Sequence, residues 1–221
     1  MPQYLELACP LKKRFPGLAA QVIRFRNVRI ERENKELELY KKEIIKEILE
    51  KWKLEDLKDH HIFRAYRNFF WKLDIDPTKT RPAAEAIIRR VLRGKELPRI
   101  NTWVDSYNLA SMKTAIPIAS FDSDLLEEDL IMRESAEGEI FLGIGMDQPI
   151  VLNGGEIVID DGKRLAAVYP YRDADYSKIT LNTSNVLMLM CGAPCISMVE
   201  LEEASQISKA IVSRFCDGDI T

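Results

Sequence analysis

The most regular alternation of apolar and polar positions lies in residues 31–58. Charged side chains fill most of this segment, and Glu38 and Lys42 stand four residues apart, as on the solvated face of a helix. Apolar side chains recur every three or four residues, as on the buried face of an amphipathic helix, at Leu37, Tyr40, Ile44, Ile48 and Trp52. The pattern predicts a charged surface helix.

Helical spacing continues beyond this segment, interrupted by residues that end helices. Pro77 follows an aspartate and breaks the chain, Pro82 suits a first helical turn, and Gly94 suits a left-handed cap. Ser197 and Glu200 have the spacing of a capping box. The pattern therefore predicts four further helices, over residues 61–73, about 80–94, about 101–113 and 197 to about 215.

Short apolar runs bounded by turn residues predict strands in residues 1–30 and 129–190. Asp161-Gly162 lies between two of these runs and is typical of a hairpin turn. The runs are YLELA, QVIRFRNV, DLIMRE, EIFLGI, EIVID, RLAAVYP and SNVLMLM. We expect an α+β fold of mixed layers, in which the two helices of residues 77–113 flank a mixed sheet built chiefly from residues 129–190. No linker composition divides residues 1–221, which predicts a single domain with residues 31–58 at its margin.

Composition narrows the classes of protein. The chain has 221 residues, of which 46% are hydrophobic and 30% charged, as in ordinary globular proteins. Its net charge of −3 argues mildly against tight, non-specific binding to nucleic acid, and no DNA partner is expected. No apolar run approaches the roughly 20 residues that span a membrane, and no secretory signal is recognisable. We expect a cytoplasmic protein.

Few residues suit metal or cofactor chemistry. Only Cys191 and Cys195 are close among the four cysteines, so the zinc pattern is incomplete and reduced thiols are expected. The two histidines, His60 and His61, are adjacent at a helix junction and suit surface or capping positions. The sequence contains no Walker, GxGxxG, GxSxG or HExxH motif. We therefore expect no metal and no organic cofactor.

A first candidate site lies on the helix predicted for residues 101–113. Its polar side chains are spaced three or four residues apart, which can gather them on one helix face: Asn101, Asp105, Asn108 and Ser111. One carboxylate among neutral hydrogen-bonding groups could orient a ligand amine or hydroxyl. Helix caps and buried hydrogen bonds explain the same residues equally well.

A second candidate site is the loop of residues 169–180, which follows a predicted strand. It contains Arg172, Asp173 and Lys178, and functional residues concentrate on such loops. The planar fork of Arg172 could bind a carboxylate or phosphate, and Lys178 could hold a phosphate as a point charge. A surface loop of salt bridges is the alternative.

Several segments of residues 60–190 resemble one family. DPTKTRP at residues 76–82 and LPRINTWVDSYN at residues 97–108 are the most specific, followed by PIASFD, GEIV, YRD and NVL. Together they resemble the tRNA-editing module, called B3/B4, of the phenylalanyl-tRNA synthetase beta subunit. They are more similar still to free-standing proteins built from that module alone.

The resemblance implies a layered α/β fold around a β-sandwich, with a pocket between helices and strands. In the synthetase, this module hydrolyses tyrosine wrongly attached to the phenylalanine tRNA. Asn108 matches a pocket amide, and Asp105 matches its structural neighbour. Ala119 stands where the bacterial synthetase has a pocket histidine, and its pocket glutamate falls near Leu189.

The resemblance therefore suggests a domain that binds aminoacyl-tRNA ends and is a candidate for hydrolysing mischarged aminoacyl esters. Asn101, Asn108 and Ser111 would orient the ester, while Asp105 would hold the helix face or an ammonium group. Arg172 and Lys178 would contact terminal phosphates. We do not expect aminoacylation, because no catalytic synthetase domain is recognisable in the sequence. The alternatives are a non-catalytic module for a small amino-acid-like ligand or a protein partner, and an enzyme acting on another small molecule.

Overall fold

The structure, a computed structural model, describes residues 2–221. Its first half contains β1 (Gln3–Tyr4), β2 (Glu6–Leu7), α1 (Cys9–Arg14), β3 (Ala20–Arg26), α2 (Lys35–Lys51), α3 (His61–Lys72), α4 (Ala83–Leu92) and α5 (Thr102–Thr114). Its second half contains β4 (Ile118–Asp122), β5 (Ile131–Glu134), β6 (Ile140–Phe141), β7 (Ile150–Val151), β8 (Ile157–Asp160), β9 (Leu165–Val168), β10 (Arg172–Asp173), β11 (Val186–Cys191), α6 (Met198–Cys216) and β12 (Asp219–Ile220). Two short 3₁₀ turns span Leu57–Asp59 and Ser123–Leu125.

The strands form two five-stranded sheets and one separate hairpin. The first sheet has the order β1-β3-β11-β4, with β12 also paired to β3, and all its pairs are antiparallel. The second has the order β10-β9-β8-β5-β2, in which only the β2–β5 pair is parallel. The β6–β7 hairpin pairs with neither sheet through a ladder. The α+β class expected from the sequence is confirmed.

The expected partition of the strands is corrected. A single mixed sheet from residues 129–190 corresponds to the second sheet, but β11 lies at the centre of the first sheet between β3 and β4. All six residues of β11 are buried, as its continuous apolar run VLMLMC suggests. The sequence patterns missed β4, because its five residues IASFD include three small or polar side chains.

The helices follow their sequence signals closely. In α2, Leu37, Ile44 and Ile48 are buried, as the apolar stripe predicts. Helix α6 begins with the predicted capping box, in which the Ser197 hydroxyl accepts from the Glu200 N–H and the Glu200 carboxylate accepts from the Ser197 N–H. Helix α4 begins two residues later than expected, because Pro82 rather than Thr80 precedes its first residue.

Helix α5 is fixed to the first sheet by a buried tryptophan. The Trp103 ring meets the Phe25 ring edge-on at 5.0 Å, and its Nε1–H donates to the Ser120 hydroxyl at 3.1 Å. Burial of an indole with its N–H satisfied is favourable on both counts. This contact joins α5 to β3 and β4, and on its opposite flank α5 packs against α6.

The β8–β9 hairpin is confirmed, but its loop is longer than the two residues predicted. Asp160 pairs with Leu165, so residues 161–164 form the loop. The Asp161 carboxylate is buried and accepts from the backbone N–H groups of Lys163 and Arg164 at 3.0 and 2.6 Å and from the Tyr176 hydroxyl at 2.6 Å. These hydrogen bonds stabilise a four-residue turn in place of a tight one.

The turn after β11 allows no side chain at Gly192. Its N–H donates to the Ala19 carbonyl oxygen at 3.0 Å, and a Cβ at this position would collide with that oxygen. We expect Gly192→Ala to lower the free energy of unfolding by about 2 kcal/mol, because two backbone segments must separate. Urea unfolding measures the loss. Gly94→Ala, where no atom lies within 4 Å of the added Cβ, should cost about 1 kcal/mol through its left-handed φ alone.

Candidate functional site

A cavity of about 200 Å³ lies where the helices meet both sheets. Helix α5 and strands β4 and β11 form one wall, and strands of the second sheet with the residues after β9 form the other. The lining residues are Ala83, Tyr107, Asn108, Pro117, Ile118, Ala119, Ile159, Ala167, Val168, Tyr169, Pro170, Tyr171, Arg172, Asp173 and Cys191. Polar groups from distant parts of the sequence therefore face one space.

Asp173 is the single acidic residue in the lining. It lies on β10, held in register opposite Ala167 of β9, and its side chain is half-buried. Within residues 2–221, no hydrogen bond or ion pair engages its carboxylate. Burial raises its pKa from the ordinary value of 3.8 to about 7. This carboxyl group can therefore exchange a proton near neutral pH.

Two titratable neighbours of Asp173 are neutral at physiological pH. Burial, with the nearby Asp173 charge as a second cause, raises the pKa of the Tyr107 hydroxyl and of the Cys191 thiol. Both groups therefore stay protonated. Asn108 is partly exposed, and in the described chain no protein group hydrogen-bonds its side-chain amide. The cavity lining thus contains three phenols, a thiol, an amide, one carboxyl group and the Arg172 guanidinium.

Arg172 stands at the edge of the cavity. Its guanidinium donates to the Ile144 carbonyl oxygen at 2.8 Å and lies 5.2 Å from the centre of the Tyr171 ring. Its side chain also crosses so close to Gly143 that a Cβ there would collide with it. These contacts fix the guanidinium and leave the charge beside the cavity mouth.

The two positions singled out by the family resemblance lie opposite each other. Ala119 on β4 pairs with Leu189 on β11 in the first sheet. Ala119 lines the cavity, whereas Leu189 is fully buried and does not. The first sheet therefore contributes no acid or base to the cavity wall at these positions.

Three candidates on α5 do not line the cavity, which corrects the expectation that they share it. The Asn101 side chain accepts from the Val104 N–H at 2.9 Å and caps the helix. The Asp105 carboxylate binds the Lys41 ammonium at 2.9 Å and accepts from the Ile100 N–H at 3.1 Å. The Ser111 hydroxyl donates to the Ile116 carbonyl oxygen at 2.8 Å. All three stabilise α5 and its ends.

Helical geometry separates only Ser111 from this face. At about 100° per step, the ten steps from Asn101 to Ser111 end about 80° short of three whole turns, whereas the seven steps from Asn101 to Asn108 end about 20° short of two. The Asn101 side chain is instead engaged by its capping hydrogen bond. Lys178 is also outside the cavity, because its ammonium binds the Asp175 carboxylate at 2.8 and 3.0 Å on the exposed loop. Of the seven candidates, Asn108, Arg172 and Asp173 come together.

Sequence patterns missed two polar members of the cavity. Tyr107 directly precedes Asn108 in the VDSYN segment, but its position within the helix stripe gave no reason to select it. Cys191 ends the apolar run of β11 and resembled an ordinary buried thiol. Only the pairing of β11 with β4 brings Cys191 to this wall.

Two features of other protein classes are not found in the part of the chain that the structure describes. No three or more His, Cys, Asp and Glu side chains in residues 2–221 gather as a metal site would require. Within the same residues, no helix combines the length and apolar character of a membrane span.

Known proteins share both the sequence and the fold. The chain is 32% identical over 108 residues to the phenylalanine–tRNA ligase beta subunit of Geobacter sulfurreducens, a match that covers 48% of this chain and 13% of the relative. It is 26% identical over 78 residues to the same subunit of Ureaplasma parvum, covering 35% of this chain and 10% of the relative. The chain thus matches only a small part of these ligase subunits.

A solved structure extends the likeness to almost the whole fold. An N-terminal fragment of the phenylalanyl-tRNA synthetase beta subunit from Pyrococcus horikoshii superposes with a TM-score of 0.50, covering 98% of this chain and 49% of that chain at 10% identity. This match shows a common fold. The family model described as the B3/4 domain matches residues 65–217, which include α5, both walls of the cavity and α6. The chain therefore belongs to the B3/4 domain family.

Proposed function

We propose that the cavity binds the aminoacyl ester at the 3′ end of an aminoacyl-tRNA and hydrolyses it, with Asp173 as the general base. The observation that carries this proposal is the half-buried, unpaired Asp173 carboxyl group, whose pKa is raised to about 7. A base with a pKa near the working pH combines a large ionised fraction with useful basicity. An unpaired carboxyl group withdrawn from water costs stability, and groups with strongly shifted pKa values are concentrated at functional sites.

The proposed reaction is a direct attack by water on the ester carbonyl carbon. The Asp173 carboxylate takes a proton from the water as its oxygen bonds to that carbon, which gives a tetrahedral oxyanion. The bond to the ribose oxygen then breaks, and that oxygen recovers the proton from Asp173. The products are a free amino acid and a tRNA with a free 3′-terminal hydroxyl.

Asn108 is positioned to assist this step. Its side-chain N–H groups are not engaged by protein acceptors in the described structure, so they are free to donate to the developing oxyanion. One such donor typically contributes a factor of about 10² to 10³ in turnover. Aminoacyl esters are already activated, so positioning together with one donor and one base is a sufficient set of groups.

The cavity favours a small acyl group. Its volume of about 200 Å³ is below the roughly 300–1,000 Å³ of pockets that enclose drug-sized ligands. The relatives are tRNA ligase subunits, which supports a tRNA-linked substrate for this chain. The chain matches too little of those subunits to support the ligase reaction itself.

We expect Asn108→Ala to lower ester turnover by a factor of about 10² and to weaken binding of a non-cleavable amide analogue by less than about threefold. The physical reason is that the amide acts mainly on the oxyanion, which exists only along the reaction path. Single-turnover deacylation and titration of the analogue measure the two quantities. Asn182→Ala removes an exposed amide remote from the lining residues and serves as the matched control.

Equal losses in binding and turnover would contradict an oxyanion role for Asn108. Unchanged turnover would remove Asn108 from the reaction altogether. Either result would leave Asp173 to be tested by itself.

A non-catalytic binding module is the second candidate function. Ala119 and Leu189 supply neither histidine nor glutamate, so the cavity lining holds one carboxyl group and no histidine. In that case Asp173 would pair with the ammonium group of an amino-acid-like ligand, and binding would lower its pKa. Ligand binding that strengthens as the pH rises through about 7, with no ester cleaved, would favour this candidate.

A further inference from the structure

A second concave surface lies between α3 and the turn after β11. We call it the α3 groove and define it by its lining residues His61, Arg64, Ala65, Asn68, Phe69, Trp71, Lys72, Pro194 and Cys195. Its volume is about 510 Å³, within the roughly 300–1,000 Å³ of pockets that hold small ligands. The proposed hydrolysis uses none of these residues.

The groove carries positive charge on a chain whose net charge is −3. Arg64 and Lys72 line it, and no lining residue is acidic. The Lys72 ammonium makes no ion pair with any residue from 2 to 221, and the Arg64 guanidinium donates only to the Asp59 backbone carbonyl oxygen, at 2.6 Å. Neither cation is neutralised by a carboxylate, so the groove can attract an anion.

An exposed tryptophan stands beside these cations. Trp71 is 55% exposed, whereas the other two tryptophans, Trp52 and Trp103, are 7% and 0% exposed. An exposed indole offers a large, flat aromatic surface to a binding partner. A flat indole face next to two cations has the composition of surfaces on which the bases of single-stranded nucleic acids stack.

The groove adjoins the cavity. The Phe69 ring lines the groove and lies 6.4 Å from the ring of Tyr169, which lines the cavity. Pro194 and Cys195 line the groove three and four residues after Cys191, which lines the cavity. One pair of buried aromatic rings and one short turn therefore connect the linings of the two concave surfaces.

We propose that the α3 groove binds the single-stranded 3′ segment of an RNA, with a base stacked on Trp71 and backbone phosphates against Arg64 and Lys72. This inference rests on the proposed function, because the bound strand would bring its terminal ester to the neighbouring cavity. The groove would hold the polynucleotide while the cavity holds the acyl group. Base stacking accepts any sequence, which suits a common RNA end.

The direct test uses a single-stranded RNA of about six nucleotides that carries no amino acid. Binding should quench tryptophan fluorescence, because Trp71 is the exposed indole, and fluorescence anisotropy of a labelled strand gives the affinity. Trp71→Ala should weaken binding by a factor of about 10 or more, and Trp71→Phe should restore most of it. Leu39→Ala, at a 61% exposed apolar side chain on α2, is the matched control and should change nothing.

Salt dependence tests the phosphate contacts separately. Each phosphate contact on a single strand contributes about 0.7 to the slope of log affinity against log salt. Lys72→Ala should lower the slope by about that amount, whereas Lys46→Ala, which removes an exposed lysine on α2 with only a 3.9 Å contact to Glu50, should leave it unchanged.

The outcomes for the groove and the cavity are distinguishable. Trp71→Ala should leave hydrolysis of a small aminoacyl ester unchanged, and Asn108→Ala should leave RNA binding unchanged. RNA binding without hydrolysis of any ester would keep the groove and overturn the proposed hydrolysis. RNA affinity that is the same in wild type and Trp71→Ala, or a groove that takes an acidic peptide and no RNA, would overturn the groove proposal.

Discussion

Replacing Asp173 with Asn is expected to lower ester turnover at pH 8 by a factor of about 10² to 10⁴. At that pH the substitution is also expected to raise the free energy of unfolding. The loss of turnover follows from removing a general base. The gain in stability follows from removing a carboxylate that is ionised at pH 8 inside an enclosed cavity. Asparagine keeps the shape of the side chain, so packing should not change.

The stability effect has a defined pH dependence. The Asp173 pKa is raised from 3.8 to about 7, so the folded protein holds the proton more tightly than the unfolded chain. The destabilisation is absent below about pH 4, grows as the pH rises, and is complete above about pH 7. A shift of about three units sets an upper limit of about 4 kcal/mol at pH 8. Urea unfolding of both proteins at about pH 4 and about pH 8 measures it.

Asp175→Asn is the matched control for this comparison. Asp175 lies two residues away, and its carboxylate binds the Lys178 ammonium on the exposed loop. Its loss should change stability by less than about 1 kcal/mol at either pH. Equal stability of Asp173→Asn and wild type at both pH values would show that the Asp173 carboxylate is better solvated than its surroundings indicate.

Asp105→Ala is expected to lower the free energy of unfolding by about 3 kcal/mol. Asp105 and Lys41 are both buried, and their charged groups lie 2.9 Å apart. Removing the carboxylate leaves a buried ammonium with only the partly exposed Glu38, at 2.8 Å, and leaves the Ile100 N–H without this acceptor. Breaking one partner of a buried ion pair typically costs about 3–5 kcal/mol. Chemical unfolding measures the loss.

The double substitution Lys41→Met with Asp105→Leu should recover most of that stability, because no charge then remains buried at the site. Glu50→Ala removes one partner of the exposed Lys46–Glu50 pair and should change stability by less than about 0.5 kcal/mol. A double variant as unstable as Asp105→Ala would mean that the loss of stability comes from poorer side-chain packing and not from an unpaired buried charge.

The helices were the most predictable part of the fold, because their signals are local. The Ser197–Glu200 capping box of α6 lies within one helical turn, and the apolar stripe of α2 repeats about once per turn within a single helix. The strand partners depend on contacts between residues far apart in the chain. The run VLMLMC does not indicate that β11 pairs with β3 on one side and β4 on the other.

The candidate site was predictable for residues that lie in a motif. It was unpredictable where tertiary packing determines whether a side chain reaches the cavity. Asn108 and Asp173 lie in segments that resemble the family, and the structure brings both to one cavity. Asp105 lies in the same segment, yet Lys41 from a distant helix engages its carboxylate. The sequence does not reveal which polar residue finds a protein partner and which remains free for a ligand.

The central claim is that the cavity hydrolyses an aminoacyl ester with Asp173 as the base. The most direct test is kcat/KM for deacylation of a panel of mischarged tRNAs, measured from about pH 5.5 to about pH 8.5. If Asp173 is the base, at least one tRNA is deacylated. Its kcat/KM then rises about tenfold per pH unit below about pH 7 and levels off above it. A panel left wholly intact, or a rate that Asp173→Asn matches at every pH, would contradict the account.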